Sequence, residues 1–212
     1  MLYLRQLTLG PMKNFIYLVG HPASNEVLAV DPAWDAKAIE AAVEADGKRL
    51  AGLWLSHHHH DHVNAVGELL GRHDVPVYVQ ALEHDFSPAV RFGDAVKKVG
   101  DGDAFVVGGL ELRCLHTPGH TPGSQCLLAD GALVSGDTVF VDHCGRCDLK
   151  GGDPRQMFDS LHRVLAQLPD QTVLYPGHDY GAVPVSSLGR ERQKNPYFLA
   201  HTLEAFLARR GG

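Results

Sequence analysis

A histidine-rich segment that directly follows an apolar run constrains this chain most. The segment covers residues 56–62 and reads Ser-His-His-His-His-Asp-His, and it follows the apolar run 50–55. By spacing it is a His-x-His-x-Asp-His pattern, whose members are His57, His59, Asp61 and His62. Titratable groups in one loop repel one another when protonated and cost desolvation energy when buried, and a divalent cation relieves both penalties. Because imidazole and carboxylate are ligands of zinc and iron, the segment predicts a metal centre at the end of a buried strand.

Composition limits the class of protein. The chain has 212 residues, of which 44% are hydrophobic, which suits a single domain over residues 1–212 with a sizeable core. Its 19 basic and 25 acidic residues give a net charge of −6, which argues against a nucleic-acid partner. No apolar run has the length of a signal peptide or a membrane helix, and the four cysteines are typical of reduced thiols. We expect a soluble cytoplasmic protein without a membrane partner.

Strand and helix patterns alternate twice along the chain. Strands are predicted over 2–9, 15–20, 27–30, 50–55 and 75–79, and in the second half over 104–107, 110–115, 125–128, 132–134 and 172–175. Helices are predicted over 35–46, around 63–70, from a cap at Asp153, and over 185–194 and 196–209. Two similar halves with helices outside predict an α/β (α+β) fold in which two sheets face each other and helices cover both outer sides.

Three further segments place ligand-type residues after apolar strands. His120, Asp137 and His178 each stand after such a strand and beside a glycine, which permits a tight backbone turn. With the first loop they bring the number of candidate ligands to seven. Seven exceed the needs of one tetrahedral zinc with an open position, whereas two metals that share one carboxylate would use them all.

The ordered set of these four motifs resembles the metallo-β-lactamase superfamily along nearly the whole chain. The resemblance implies a four-layer αββα sandwich with the metals at one edge of its sheets. It assigns the first metal to His57, His59, His120 and Asp137. It assigns the second metal to Asp61, His62, Asp137 and His178, with Asp137 bridging the two.

Within the superfamily the chain is most similar to the glyoxalase II group. The similar segments are residues 117–124, 136–140, 144–146, 187–192 and 195–198. This resemblance implies a hydroxyacylglutathione hydrolase-like thioesterase that uses two divalent ions, zinc, iron or manganese. A metal-bound hydroxide would attack the carbonyl of a thioester such as an S-acylglutathione. Asp61 would be the catalytic residue that orients this hydroxide and later carries a proton.

Two segments also resemble the persulfide dioxygenases, which share the scaffold. They are Arg146-Cys147-Asp148 and His178-Asp179-Tyr180. That family holds a single Fe²⁺ with residues that match His57, His120 and Asp137, and it oxidises glutathione persulfide. The motifs alone do not count metals, so this second activity stays open, as do lactone or β-lactam hydrolysis and a non-catalytic metal-binding module.

Two residues are candidates for substrate contact. Arg146 either binds an anionic substrate tail or pairs with Asp148, and Tyr180 either donates to a substrate oxygen or packs. The expected partner is therefore a small thioester or thiol-derived molecule. The sequence leaves a homo-oligomer open.

Other residues near the motifs have supporting roles in this interpretation. Asp31 is expected to brace the histidine loop, and His58 and His60 fall on the x positions and are expected to point away from the metal. The Cys144–Cys147 spacing lacks the strand and helix context of a redox pair and is assigned to a loop. The remaining cysteines, Cys114 and Cys126, lie in strand patterns and are predicted to be core residues.

Overall fold

Two six-stranded sheets form the centre of the molecule. The computed structural model describes residues 1–210, with side chains up to residue 209. The first sheet contains, in spatial order, β1 (Tyr3–Leu9), β2 (Asn14–Gly20), β3 (Glu26–Val30), β4 (Arg49–Trp54), β5 (Val77–Gln80) and β6 (Val96–Val99). Its first three strands pair antiparallel, and β3 to β6 pair in parallel. Parallel pairing brings the carboxyl ends of β3, β4 and β5 to one edge of this sheet.

The second sheet repeats this design. Its strands in chain order are β7 (Ala104–Val107), β8 (Leu110–His116), β9 (Gln125–Ala129), β10 (Ala132–Gly136), β13 (Val173–Pro176) and β14 (Ser186–Ser187). They lie in the spatial order β14-β13-β10-β9-β8-β7. Only β10 and β13 pair in parallel, so β8, β10 and β13 all run in one direction and end at one edge. Between β10 and β13 the chain forms a small hairpin of β11 (Val139–Phe140) and β12 (His143–Cys144).

Helices cover the outer face of each sheet. The α-helices in chain order are α1 (Ala36–Ala45), α2 (His60–Val63), α3 (Val66–Leu70), α4 (Ala81–Phe86), α5 (Pro154–Asp159), α6 (Leu188–Lys194) and α7 (Leu203–Arg210). Two of them begin at an aspartate N-cap, and the one at Asp153 is predicted from the sequence. The Asp35 carboxylate accepts the Ala38 N–H at the start of α1, and Asp153 accepts two backbone N–H groups at the start of α5. A π-helical turn (Ser160–Val164) and a 3₁₀ turn (Leu165–Gln167) continue α5.

Alternation along the strands produces three apolar cores. In β2, Phe15 and Tyr17 face the second sheet, while Ile16 and Leu18 face the helices α1 and α3. The third core lies between the second sheet and α5 to α7, around residues such as Met157. A strand with both faces buried is apolar throughout, because successive side chains point to opposite faces. The observed layers are therefore helix, sheet, sheet and helix, which confirms the predicted αββα sandwich.

The sequence prediction was wrong about the tail. The predicted helix over 185–194 begins only at Leu188, because the preceding residues extend as β14 and Ser187 caps the helix by accepting the Arg190 N–H. The predicted helix over 196–209 is confined to Leu203–Arg210. Asn195 explains this, since its side chain accepts the Tyr197 N–H in a local turn that competes with a helix.

Five of the strands and α-helices were not predicted from the sequence, namely β6, α4, β11, β12 and β14. Each has six residues or fewer, which is too short for a clear hydrophobic period. No helix within residues 1–210 is long and apolar enough to cross a bilayer.

Candidate metal centre

All seven predicted ligand residues lie at one edge of the two sheets. The loop after β4 carries His57, His59, Asp61 and His62. The loops after β8, β10 and β13 carry one residue each, His120, Asp137 and His178. The structure thus brings the seven side chains together from both sheets, and they form two triads joined by one carboxylate.

The first triad consists of His57, His59 and His120. Its ligand atoms lie within 4.8 Å of one another. His59 Nδ1 is 3.0 Å from His57 Nε2 and 2.9 Å from His120 Nε2. Burial holds the pKa of His57 well below its ordinary value, and burial together with His120 lowers the pKa of His59 to about 4. The His57 and His59 rings are therefore neutral at physiological pH, which is the form that ligates metals.

The second triad consists of Asp61, His62 and His178. Its two Nε2 atoms are 3.1 Å apart, and each is 3.4 Å from Asp61 Oδ2. Burial disfavours a charged His62, but the carboxylates around it outweigh burial and raise its pKa to about 9. A cation at this position would replace the proton that the carboxylates attract.

Asp137 lies between the two triads. Its Oδ1 atom is 3.3 Å from His62 Nε2 and 3.5 Å from His178 Nε2, whereas Oδ2 is 3.4 Å from His120 Nε2. Each oxygen thus faces a different triad. Burial raises the pKa of this carboxyl, but the facing histidines outweigh burial and lower it far below its usual range.

The backbone around Asp137 leaves no room for another side chain. A Cβ at Gly177 would lie 2.6 Å from Asp137 Oδ1, and one at Gly145 would overlap the Asp137 carbonyl oxygen. Glycine is therefore required at both positions beside this carboxylate.

The donor set fits two divalent cations. Asp137 Oδ1 is buried and has no hydrogen-bond partner among the described residues, which is costly unless something else occupies that position. In four of the histidines the Nδ1 atom lies on the side away from the centre and forms a hydrogen bond there. The acceptors for the Nδ1–H of His57, His62, His120 and His178 are Ser56 Oγ, Asp31 Oδ2, the Arg146 carbonyl and the Met12 carbonyl. The Nε2 atoms therefore face inward, where they are available to a metal, as ligating histidines require.

Asp31 braces the histidine loop as the sequence predicts. Its carboxylate accepts the Ser56 N–H and the Ser56 hydroxyl, both at 2.6 Å, and His62 Nδ1 at 2.9 Å. The Ser56 hydroxyl has a single hydrogen, so it accepts in turn from His57 Nδ1 at 2.9 Å. One buried acid thereby fixes the orientation of one histidine in each triad.

Glu83 is a supporting residue that sequence reasoning missed. Its buried carboxylate accepts the N–H of Gly123 and both the backbone N–H and the Nδ1–H of His58. It also accepts the Thr121 hydroxyl at 2.9 Å. The loops that carry His57 and His120 are thus tied to one side chain. The only available signal was a carboxylate in a short segment after β5, which by itself indicates a solvated surface group.

The two x-position histidines take supporting positions. His58 points away from the centre toward Glu83, as expected. His60 is exposed, lines the cleft in front of the metal centre and is not among the grouped ligand atoms. Its ring packs edge-on against Trp34, with ring centroids 6.2 Å apart.

The cleft in front of the triads has a volume of about 510 Å³ and a mixed lining. Its apolar wall includes Met12, Phe140 and Leu149, and Arg146 and Tyr180 lie at its rim. The Arg146 guanidinium forms two hydrogen bonds with Asp148, at 2.6 and 2.7 Å. The Tyr180 ring stacks on the His178 ring at 4.5 Å. Arg146 therefore pairs with Asp148 and Tyr180 packs on His178, which are the two alternatives that do not involve a substrate. Contact of either residue with substrate stays a prediction.

All four cysteines are buried. Cys114 and Cys126 lie in β8 and β9 and are core residues, as predicted. Burial raises the pKa of each of these two thiols to about 11. Cys147 lies in the loop that the sequence predicts for this pair, whereas Cys144 is part of the short strand β12.

Comparison with known proteins agrees with this geometry. The sequence profile of the metallo-beta-lactamase superfamily matches residues 9–178. This chain therefore belongs to the metallo-β-lactamase superfamily.

Three relatives show the extent of the likeness. The hydroxyacylglutathione hydrolase of Alkalilimnicola ehrlichii is 41% identical over 201 residues, which cover 94% of this chain and 74% of that protein. The probable polyketide biosynthesis zinc-dependent hydrolase BaeB of Bacillus velezensis is 32% identical over 194 residues, with 92% and 85% covered. The crystal structure of ETHE1 from Myxococcus xanthus matches with a TM-score of 0.86 at 30% identity and covers 99% of this chain and 90% of its own.

Proposed function

We propose that this protein is a metal-dependent hydrolase that cleaves a thioester such as an S-acylglutathione. The observation that carries the proposal is Asp137, whose two oxygens face two complete triads of ligand atoms. His57, His59 and His120 would hold one divalent ion and Asp61, His62 and His178 a second, with Asp137 shared. When bound, such ions lower the pKa of a water to about 7 and polarise a carbonyl group. The zinc-dependent hydrolase among the relatives supports zinc, and iron is equally compatible with these ligands.

The side chains around the cleft define the roles in the reaction. Asp61 lines the cleft and its Oδ2 faces the His178 ring, so we assign it the orientation of the attacking water and the acceptance of its proton. Water adds to the thioester carbonyl, the carbon–sulfur bond breaks, and the proton passes to the departing thiolate. We assign Arg146 and Tyr180, which both line the cleft, to contact with the polar parts of the substrate. We find no need for a side-chain nucleophile in this scheme.

One experiment on metal-defined protein tests the proposal. Metal content is measured together with turnover of a panel of thioesters and with oxygen uptake on glutathione persulfide. We expect two metals per chain, thioester cleavage and no oxygen uptake. A single iron with oxygen uptake would establish the dioxygenase alternative, which the likeness to ETHE1 favours. A metal-replete protein that turned over no thioester, lactone, phosphodiester or persulfide would indicate a binding module.

A matched pair of variants tests the central carboxylate. Asp137→Ala is expected to lose metal binding and turnover together, because it removes the ligand that both triads share. Asp159→Ala is the control, since Asp159 is a half-exposed acid that pairs with Arg163 one helical turn away. Wild-type activity in folded Asp137→Ala protein would refute the assignment.

A further inference from the structure

The turn between β1 and β2 lies against the second triad. The Met12 carbonyl accepts the Nδ1–H of His178 at 3.0 Å, and the Lys13 carbonyl accepts the next backbone N–H at 2.9 Å. At the start of β2, the Phe15 N–H donates to the Gly177 carbonyl at 2.8 Å. The hairpin is thereby fixed to the loop that carries His178, and no contact of this kind joins it to the described residues of the first triad.

Asn14 extends this hairpin to a second ligand. Its side chain is buried, and its Nδ2 donates to the Asp61 carbonyl at 2.9 Å and to Asp61 Oδ2 at 3.0 Å. Oδ2 is also the oxygen that faces His62 and His178. The amide thus holds the carboxylate by the same atom that the triad presents to a metal, and it fixes both the loop and the rotamer.

Trp34 determines which way the Asn14 amide points. The indole Nε1–H donates to Asn14 Oδ1 at 2.8 Å. An indole N–H can only donate, so the amide oxygen must face it and the NH₂ group must face Asp61. Reversal of the amide would lose the bonds on both sides at once.

The position of Trp34 is itself maintained by local structure. Its backbone has φ 70°, which is rare for a bulky residue, and its N–H donates to Asn64 Oδ1 at 2.6 Å. The indole ring packs where Gly10 has no side chain, since a Cβ there would lie 2.3 Å from the ring. A strained residue that the surroundings hold in place indicates a functional demand at that position.

We propose that Asn14, oriented by Trp34, is a positioning residue that selectively sets the affinity of the second metal position. The inference rests on the proposed metal-dependent function and extends it. It makes the number of bound metals depend on the β1–β2 hairpin. The first triad is held by other bonds, from Ser56 and from the Arg146 carbonyl, so loss of the Asn14 amide leaves that triad intact.

Asn14→Leu tests this role, because leucine has a similar volume and no hydrogen-bond donor. Metal-free protein is titrated with Zn²⁺ in competition with a chromophoric chelator, and bound metal is counted by mass spectrometry. We expect wild type to bind two ions. The variant is expected to keep the first at unchanged affinity and to bind the second about 10- to 100-fold more weakly, which is the usual effect of losing an outer-sphere partner. Two unchanged affinities, or an equal loss of both, would overturn the proposal.

Trp34→Phe keeps an aromatic ring at this position but removes the indole N–H together with part of the ring volume, so it provides a second test if Asn14→Leu does not fold. This variant should weaken metal binding at the second position alone, and by a smaller factor than Asn14→Leu. Equal effects on both positions, or no effect on either, would contradict the proposal. Asn195→Ala is the matched control. Asn195 is a fully buried asparagine that donates to the Phe140 and His143 carbonyls and contacts no ligand side chain through its amide. Both affinities should stay at wild-type values in this control.

The metal-binding result for Asn14 can be distinguished from a failure of the thioesterase proposal. If the protein binds two ions with the expected split between variants but cleaves no thioester, the positioning role stands and the proposed substrate falls. If wild type binds a single ion under saturating Zn²⁺, the positioning role of Asn14 is refuted whatever the activity.

Discussion

Replacement of Glu83 by glutamine should destabilise the metal-free protein although it changes only one atom of the side chain. The carboxylate is 1% exposed and accepts hydrogen bonds at both oxygens. In Glu83→Gln an NH₂ group would face either the Gly123 N–H or the His58 N–H. A buried N–H left without an acceptor costs about 1–3 kcal/mol, and the remaining bonds lose the assistance of the charge.

The unpaired N–H and the weakened hydrogen bonds together should lower the free energy of unfolding by about 3 kcal/mol. For a domain of this size such a loss corresponds to a fall in Tm of about 6–12 °C. The measurement is thermal or urea unfolding of chelator-treated protein, so that metal binding does not enter. Glu68→Gln is the control, because Glu68 is half exposed and pairs with Arg72 at the surface, where loss of the ion pair costs less than about 1 kcal/mol.

The same variant has a defined pH dependence. Burial raises the pKa of the Glu83 carboxyl, but the hydrogen bonds and charge of His58 outweigh burial and lower it. A group whose pKa is lower in the folded state stabilises the fold above its unfolded pKa, and that stabilisation is lost as the pH falls through the folded value. The gap between wild type and Glu83→Gln should therefore narrow below about pH 4. A variant as stable as wild type at neutral pH would refute this account of Glu83.

Further predictions concern groups outside the metal centre. Cys114 and Cys126, whose pKa values are raised to about 11 by burial, should resist alkylation at about pH 8 until the protein is unfolded, as peptide mass spectrometry would show. Labelling of either thiol in native protein would contradict its place in the core. Burial also lowers the pKa of His162, so its contribution to stability is intact above about pH 6.5 and falls as the pH decreases. Acid should therefore destabilise wild type more than His162→Gln in urea unfolding, and equal sensitivity would contradict this.

Features that repeat along the chain could be predicted from the sequence. The strands near the motifs show regular apolar patterns, and the ligand residues follow them directly, so their place at one edge could be expected. The brace from Asp31 was predictable for the same reason, because this residue also directly follows a strand.

Features that depend on pairs far apart in the chain could not be predicted. Asn14 and Asp61 are separated by 47 positions, and Glu83 reaches back 25 positions to His58. Neither side chain belongs to a motif, and their roles follow from how the hairpin and α4 pack onto the loops. The short final helix escaped prediction because the local turn at Asn195 has no hydrophobic period of its own.

Each triad takes its members from both halves of the sandwich. In the first, His57 and His59 follow β4 of one sheet while His120 follows β8 of the other, so no triad is complete within a single sheet. A slide of one layer over the other would pull the donor atoms apart. Metal affinity therefore depends on how the two sheets are aligned. Substitutions between the sheets, as at Trp54 where it contacts Cys114, should change metal affinity although they lie away from the ligands.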